Sequence, residues 1–187
     1  VFWTADRSES FLSDEHARAV SGTAVLGLDA DGLFTGLWVE AKTDTGAYLS
    51  RRTKSMLNNI GGVAGQYRTP VIASELTFFY TNTMQTSPYR GFGRPEATYI
   101  IERLIDKAAR ETGHDALALR QKNLVTPDQM PYQTGLTFHY DCGDFPRIVE
   151  AAAQQADYAG FAQRRKQSEA KGLLRGIGIS NPIEVAG

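Results

Sequence analysis

Tyr89-Arg90-Gly91-Phe92-Gly93-Arg94-Pro95-Glu96 is the stretch where this sequence changes character. Just before it, Val71 to Asn82 carries Ile72, Leu76, Phe78, Phe79 and Tyr80, the strongest strand composition in the chain. Just after it, the residues through Glu111 place Tyr99, Ile100, Leu104 and Ala108 at helical spacing. Pro95 suits a first helical turn, Glu96 and Glu102 favour the positive end of the helix dipole, and Lys107 and Arg110 favour the negative end. Gly113 supplies the stop. The stretch therefore reads as a loop delivering a strand into a helix N-terminus.

Working outward, Ala24, Leu26 and Leu28 alternate up to Asp29-Ala30-Asp31-Gly32, and Leu33 to Tyr48 returns as a long strand, which predicts a β-hairpin. Thr53 to Val63 has helical spacing at Met56, Leu57 and Ile60, with Gly61-Gly62 as its left-handed exit. Asp6 or Ser8 caps a short helix to Ser13, following strand-like Val1 to Thr4. On the other side, Asp115 caps a helix over Ala116 to Asn123, Thr126 to Cys142 reads as a long loop, and Asp144 caps a helix over Pro146 to Ala156. Tyr158 to Lys171 is a further helix with a charged outer face. The expected fold is α+β, a mixed or largely antiparallel sheet with helices on one face, in one domain over 1–187. Within it 1–93 is mainly strands and the loop, 94–171 is mainly helical, and 172–187 is a strand leading onward. Both ends have the apolar, β-branched composition of a chain cut from a longer one.

With 20 basic and 21 acidic residues the formal charge is −1, which gives no electrostatic footprint for nucleic acid or an anionic membrane. Cys142 is the sole cysteine, so no intrachain disulfide forms and a reducing, cytoplasmic location is expected. No stretch reaches the roughly 18 to 20 consecutive apolar residues that span a bilayer.

In the central loop, Gly91 and Gly93 free the backbone for positive φ and for close approach to a ligand. Arg90 and Arg94 add positive charge beside helix amides suited to an anionic or oxo group, and Phe92 offers an aromatic face. The bland alternative is a Gly-rich turn that caps the helix while Phe92 fills the core. No Gly-Lys-Ser/Thr follows, so this is no P-loop, and the glycine spacing is not that of a dinucleotide-binding turn. His139, Asp141, Cys142 and Asp144 are the only metal-ligand types close together, and a turn with a helix cap accounts for them more simply than a metal site. His16 and His114 stand alone, and no Ser-His-Asp order is present.

An ordered series extends the reading: Trp3-Thr4-Ala5-Asp6-Arg7-Ser8-Glu9, Asp44-Thr45-Gly46-Ala47-Tyr48, Tyr67-Arg68-Thr69-Pro70, Tyr80-Thr81-Asn82, the Arg90 loop, Glu102-Arg103-Leu104-Ile105-Asp106 and Leu119-Arg120-Gln121-Lys122-Asn123-Leu124. In that order these segments resemble an internal part of the molybdenum-binding large subunit of xanthine oxidase, aldehyde oxidase and carbon monoxide dehydrogenase-type hydroxylases. The resemblance implies a parent enzyme that hydroxylates a substrate carbon with water-derived oxygen. Its cofactor would be molybdenum-pterin, in the molybdopterin cytosine dinucleotide form. Electrons would pass to Fe–S and FAD on partner subunits in a dimer of heterotrimers. It implies cofactor-binding roles for Arg90, Gly91 and Gly93 and substrate-binding roles for Phe92 and Asn58, with no metal ligand from the chain itself.

Carbon monoxide dehydrogenases proper have a copper-holding cysteine where this sequence has Gly91, and purine hydroxylases have a substrate-orienting arginine where Asn58 stands, with Arg51 and Arg52 nearby. The resemblance therefore favours an aldehyde or N-heteroaromatic substrate. The family's general-base glutamate belongs farther downstream, so no catalytic residue is expected in this chain, and the isolated chain is expected to be inactive. A non-catalytic scaffold or subunit-interface domain, whose loop only caps a helix, is the alternative.

Overall fold

The computed structural model describes residues 1–17, 19–49 and 59–184. β1 (Val20–Leu28) and β2 (Phe34–Asp44) form the expected hairpin, with Val20 opposite Thr43 and Val25 opposite Trp38. Its turn is closed by the Asp29 carboxylate, which accepts from the Asp31 and Leu33 amides at 3.0 and 2.8 Å, with Gly32 at φ 81°. β3 (Ile72–Phe79) joins β2 in parallel, Leu37 opposite Ile72 and Asp44 opposite Phe79. The sheet is thus mixed, in the order β1-β2-β3. Because β2 and β3 are parallel, the loops that follow Asp44 and Phe79 leave the sheet from the same end.

One face of the sheet is covered. Leu37, Val39 and Ala41 of β2 pack into a core with Ala97, Ile101 and Ile105 of α2 (Arg94–Thr112). The opposite face exposes Val25 and Trp38. This is the α+β architecture the sequence predicts, with helices on one face. The buried stripe of α2, however, runs through Ala97, Ile101, Ile105 and Ala108 rather than through Tyr99, which is 67% exposed. The small alanines let the helix lie close to the sheet, and the bulkier Tyr99 is displaced to its flank. Among the described residues no helix is long and apolar enough to cross a membrane.

α2 ends at Gly113 (φ 78°), and Asp115 then caps α3 (Ala116–Asn123), accepting from the Leu117 and Ala118 amides at 3.0 and 2.8 Å. α3 carries the fully buried Arg120, whose guanidinium bonds Glu102 at 2.9 Å and Asp106 at 2.8 Å on α2. Glu102 is therefore the buried counter-ion of another helix, not a partner of the dipole. α1 (Arg7–Ser13) begins with an Asp6–Glu9 capping box. α4 (Phe145–Gln155) is capped by Asp144, and α5 (Phe161–Glu169) follows.

Three expectations change. Residues 53–58 of the helix expected up to Val63 lie outside the described residues, and Ile60–Ala64 is a 3-10 turn. Gly61 and Gly62 lie buried inside that turn, and the positive-φ exit is Gly65 at 56°. A β-carbon on Gly61 would overlap the Thr137 hydroxyl, so that glycine answers to close packing. The long loop after Thr126 holds a 3-10 turn (Pro127–Gln129) and the short antiparallel pair β4 (Tyr132–Gln133) and β5 (His139–Tyr140). It is tied to the core by the Tyr140 hydroxyl donating to Gly65 O at 2.5 Å. Finally, neither Val1 to Thr4 nor residues 172–184 form a strand. A strand needs a partner's hydrogen bonds. The tail finds side chains instead: Arg120 donates to Ile179 O at 3.3 Å, Gln66 donates to Pro182 O at 2.9 Å, and Asn181 donates to the Tyr67 hydroxyl at 3.1 Å.

Candidate functional site

β3 runs out into residues 80–93, which end at the N-terminus of α2. Gly91, Phe92 and Gly93 take φ of 91°, 48° and 90°, three left-handed residues in succession. Glycine is needed at the flanking positions because a β-carbon disfavours that region. The turn is closed by the Phe92 amide donating to Tyr89 O at 2.8 Å and the Arg94 amide donating to Gly91 O at 3.0 Å. At Gly91 a side chain meets a second obstacle, since its β-carbon would stand 2.6 Å from Pro95 Cγ and 2.8 Å from Pro95 Cδ. The loop is folded back onto the first turn of α2.

This geometry sharpens the predicted anion site. Of the amides at the helix start, that of Arg94 is already bonded, Pro95 has none, and Ala97 donates to Gly93 O at 3.0 Å. Arg94 itself faces the tail, its guanidinium 2.5 Å from the Glu184 carboxylate. Arg90 is exposed on the loop. The loop thus sets the exposed Arg90 side chain beside the side-chain-free backbone of Gly91 and Gly93, with the Arg94 amide already bonded within the turn. Phe92 is half-buried, so part of its ring is available and part is packed. Asn58, with Arg51 and Arg52, lies outside the described residues.

Beside the loop is a cavity of about 670 Å³ between β1, β2 and the first turns of α2, lined by Val39, Ala41, Pro95, Glu96, Tyr99 and Ile100. Sequence reasoning missed it, having placed Tyr99 with Ile100, Leu104 and Ala108 on one helical face without a cavity beside it. Ala97, Ile101, Ile105 and Ala108 at helical spacing were the available signal, because they mark the stripe that approaches the sheet.

The remaining predicted candidates do not converge. Among the described residues no group of three or more His, Cys, Asp or Glu side chains is placed to hold a metal. Asp144 accepts from the Arg147 amide at 3.1 Å as a cap, and exposed Cys142 has its thiol pushed up by neighbouring Asp141. His16 joins the loop through its backbone, the amide donating to Gln85 O at 3.1 Å and the carbonyl accepting from Ser87 at 2.8 Å.

The donor set at the loop is a guanidinium and glycine backbone, with no thiolate, imidazole or carboxylate among residues 89–94. Those groups suit the oxygens of an organic, anionic cofactor, and a metal carried by it would be held through the cofactor rather than by these residues.

The chain matches the molybdopterin cofactor-binding domain family over residues 1–124. It is 32% identical to the gamma subunit of the 6-hydroxypseudooxynicotine dehydrogenase complex of Paenarthrobacter nicotinovorans, across 100% of this chain and 24% of that one. It is 31% identical to the carbon monoxide dehydrogenase large chain of Hydrogenophaga pseudoflava, again across 100% of this chain and 24% of that one. Quinoline 2-oxidoreductase from Pseudomonas putida 86 superposes with a TM-score of 0.83 at 29% identity, over 91% of this chain and 22% of its own. The chain spans about a quarter of the length of these relatives. With the match covering the sheet, the Arg90 loop, α2 and α3, this chain belongs to the molybdopterin cofactor-binding domain family.

Proposed function

We propose that this chain forms one wall of the molybdenum-pterin site in the large subunit of a molybdenum hydroxylase, whose substrate is an N-heteroaromatic compound or an aldehyde. The observation that carries the reading is the left-handed Gly91-Phe92-Gly93 turn beside exposed Arg90, which presents backbone and a guanidinium together. Arg90, Gly91 and Gly93 hold the anionic part of the cofactor, in its cytosine dinucleotide form, and the open part of the Phe92 ring lies against a flat substrate, with Asn58 as a further contact. The cofactor supplies the redox chemistry that side chains lack, in a reaction that adds water-derived oxygen to carbon and sends electrons to Fe–S and FAD on partner subunits of a cytoplasmic dimer of heterotrimers.

Two observations support the substrate class. Relatives named for 6-hydroxypseudooxynicotine and quinoline act on ring compounds containing nitrogen. At Gly91 a β-carbon would stand 2.6 Å from Pro95 Cγ, so a copper-holding cysteine there would require the loop to shift. Copper-dependent CO oxidation is therefore not the proposed activity, although a CO dehydrogenase large chain is among the relatives.

The general base lies outside this chain in this reading. The isolated chain is expected to hold no molybdenum and to turn over no substrate, whereas the purified parent contains molybdenum and oxidises members of a panel of N-heteroaromatics and aldehydes. Stoichiometric molybdenum on the isolated chain, or a parent active only on CO, contradicts the reading. A non-catalytic scaffold or interface domain is the second reading. It is favoured by the bonding of the Phe92 and Arg94 amides within the turn and by the Arg94–Glu184 pair, and a parent without molybdenum would select it.

A further inference from the structure

The Arg90 loop has a root, and the root is held by one carboxylate. Asp44 ends β2, and its side chain reaches across to the loop that follows β3. Oδ1 accepts from the Thr81 hydroxyl and from the Gly46 amide at 2.6 Å, and Oδ2 accepts from the Thr83 hydroxyl at 3.2 Å. Backbone contacts complete the join: the Thr81 amide donates to Gly46 O at 3.1 Å, the Ala47 amide to Thr83 O at 3.0 Å and the Thr86 amide to Thr45 O at 3.2 Å. The Thr86 hydroxyl donates to Asp44 O at 2.9 Å. Gly46, at φ 75°, is where the two chains pass closest, since a β-carbon there would overlap Met84 O and Gln85 Cα. The His16 segment then clasps residues 85–87 from the other side, just ahead of Arg90.

The two loops joined in this way both leave the carboxyl ends of the parallel strands β2 and β3. The Asp44 carboxylate, together with these backbone bonds, therefore holds residues 81–86 on the path that leads to Arg90 and Phe92. We propose that Asp44 is a positioning residue for the Arg90 loop, acting through Thr81, Thr83 and Gly46 and touching neither cofactor nor substrate. This rests on the cofactor-site reading only for its consequence in turnover; the consequence for the loop is independent of it. Asn retains an acceptor oxygen where Thr81 and Gly46 donate and Ala does not, so the two substitutions separate the carboxylate's geometry from its mere presence.

The test is amide hydrogen exchange on the purified parent holoenzyme, comparing Asp44→Ala, Asp44→Asn and Thr81→Val with the unmodified protein, alongside kcat and KM on an N-heteroaromatic substrate. Loss of charge-assisted hydrogen bonds at the root should speed exchange in peptides covering 80–93 by about tenfold in the Ala variant, while peptides covering 34–43 stay unchanged. Thr81→Val, which keeps the shape and removes one donor, should give a smaller increase in the same peptides, and Asp44→Asn should restore most of the protection. Turnover should fall in kcat more than it rises in KM, in the same rank order. Unchanged exchange over 80–93 in both Asp44→Ala and Thr81→Val overturns the inference, as does an Asn variant no better than Ala. An Arg90→Ala control with full turnover would overturn the cofactor-site reading alone, and the exchange result would still decide the role of Asp44.

Discussion

Phe92 carries a β-carbon in a backbone region that costs such residues about 1–3 kcal/mol, and it is held there by two glycines and by two hydrogen bonds within the turn. Strain of that kind is kept where the surrounding chain over-determines it, and it is the observation behind the proposed site. Gly91 is the residue on which the turn depends. Its φ of 91° and the Pro95 ring 2.6 Å from where a β-carbon would stand leave no conformation for alanine without movement of the loop. Gly91→Ala should lower stability by about 1–3 kcal/mol and reduce the molybdenum content of the parent, read by thermal melting and metal analysis. A variant with native melting and native metal content would show that the turn is not constrained in this way. The glycines at 91 and 93 were legible in the sequence because left-handed backbone is the simplest reason to place them around an aromatic residue. The engagement of Arg94 by Glu184 was not, since that partner arrives from a tail with no local pattern to announce it.

At the scale of elements, a buried polar network joins α2 to α3. Arg120 on α3 is fully buried and bonds Glu102 and Asp106 on α2, while Glu102 also accepts from the Tyr67 hydroxyl at 2.6 Å. Burial works against the Arg120 cation, and the Glu102 and Asp106 carboxylates outweigh it, so it stays charged. Its bond to Ile179 O and the Asn181–Tyr67 bond seat the tail on the same cluster. Removing the cation leaves a buried carboxylate without its counter-charge, so Arg120→Ala should cost about 3–5 kcal/mol in chemical denaturation. Adding Glu102→Leu to an Arg120→Met variant should recover much of that loss; a double variant no more stable than Arg120→Ala contradicts the account. The caps at Asp6, Asp115 and Asp144 and the span of α2 were legible because each depends on neighbours in sequence. Glu102 was read as a dipole partner because its true partner sits on another helix, and the parallel pairing of β3 with β2 depends on a crossover that no local periodicity records.

Over the whole molecule, the fold class followed from the change of period at residues 89–96, whereas the segments expected as strands at the two ends, Val1 to Thr4 and 172–184, are not strands among the described residues. The core also sets a response to pH. Burial, reinforced by Glu102, pushes the Tyr67 phenol well up, and burial pushes the Tyr140 phenol up. A raised folded-state pKa leaves stability intact below the unfolded value of about 10 and removes it as pH climbs from there towards the folded value. The melting temperature should hold to about pH 10 and then decline, with a shallower decline in Tyr140→Phe. A flat profile to pH 11 would contradict the burial of these phenols.

The central claim is that the Arg90 loop is a wall of the cofactor site. Its most direct test is Arg90→Ala in the full parent protein, with molybdenum content and steady-state turnover measured on the same preparation. The account predicts a fall of about tenfold or more in occupancy or in kcat/KM, the scale of a lost charge-assisted contact. Full molybdenum occupancy together with full turnover would contradict it.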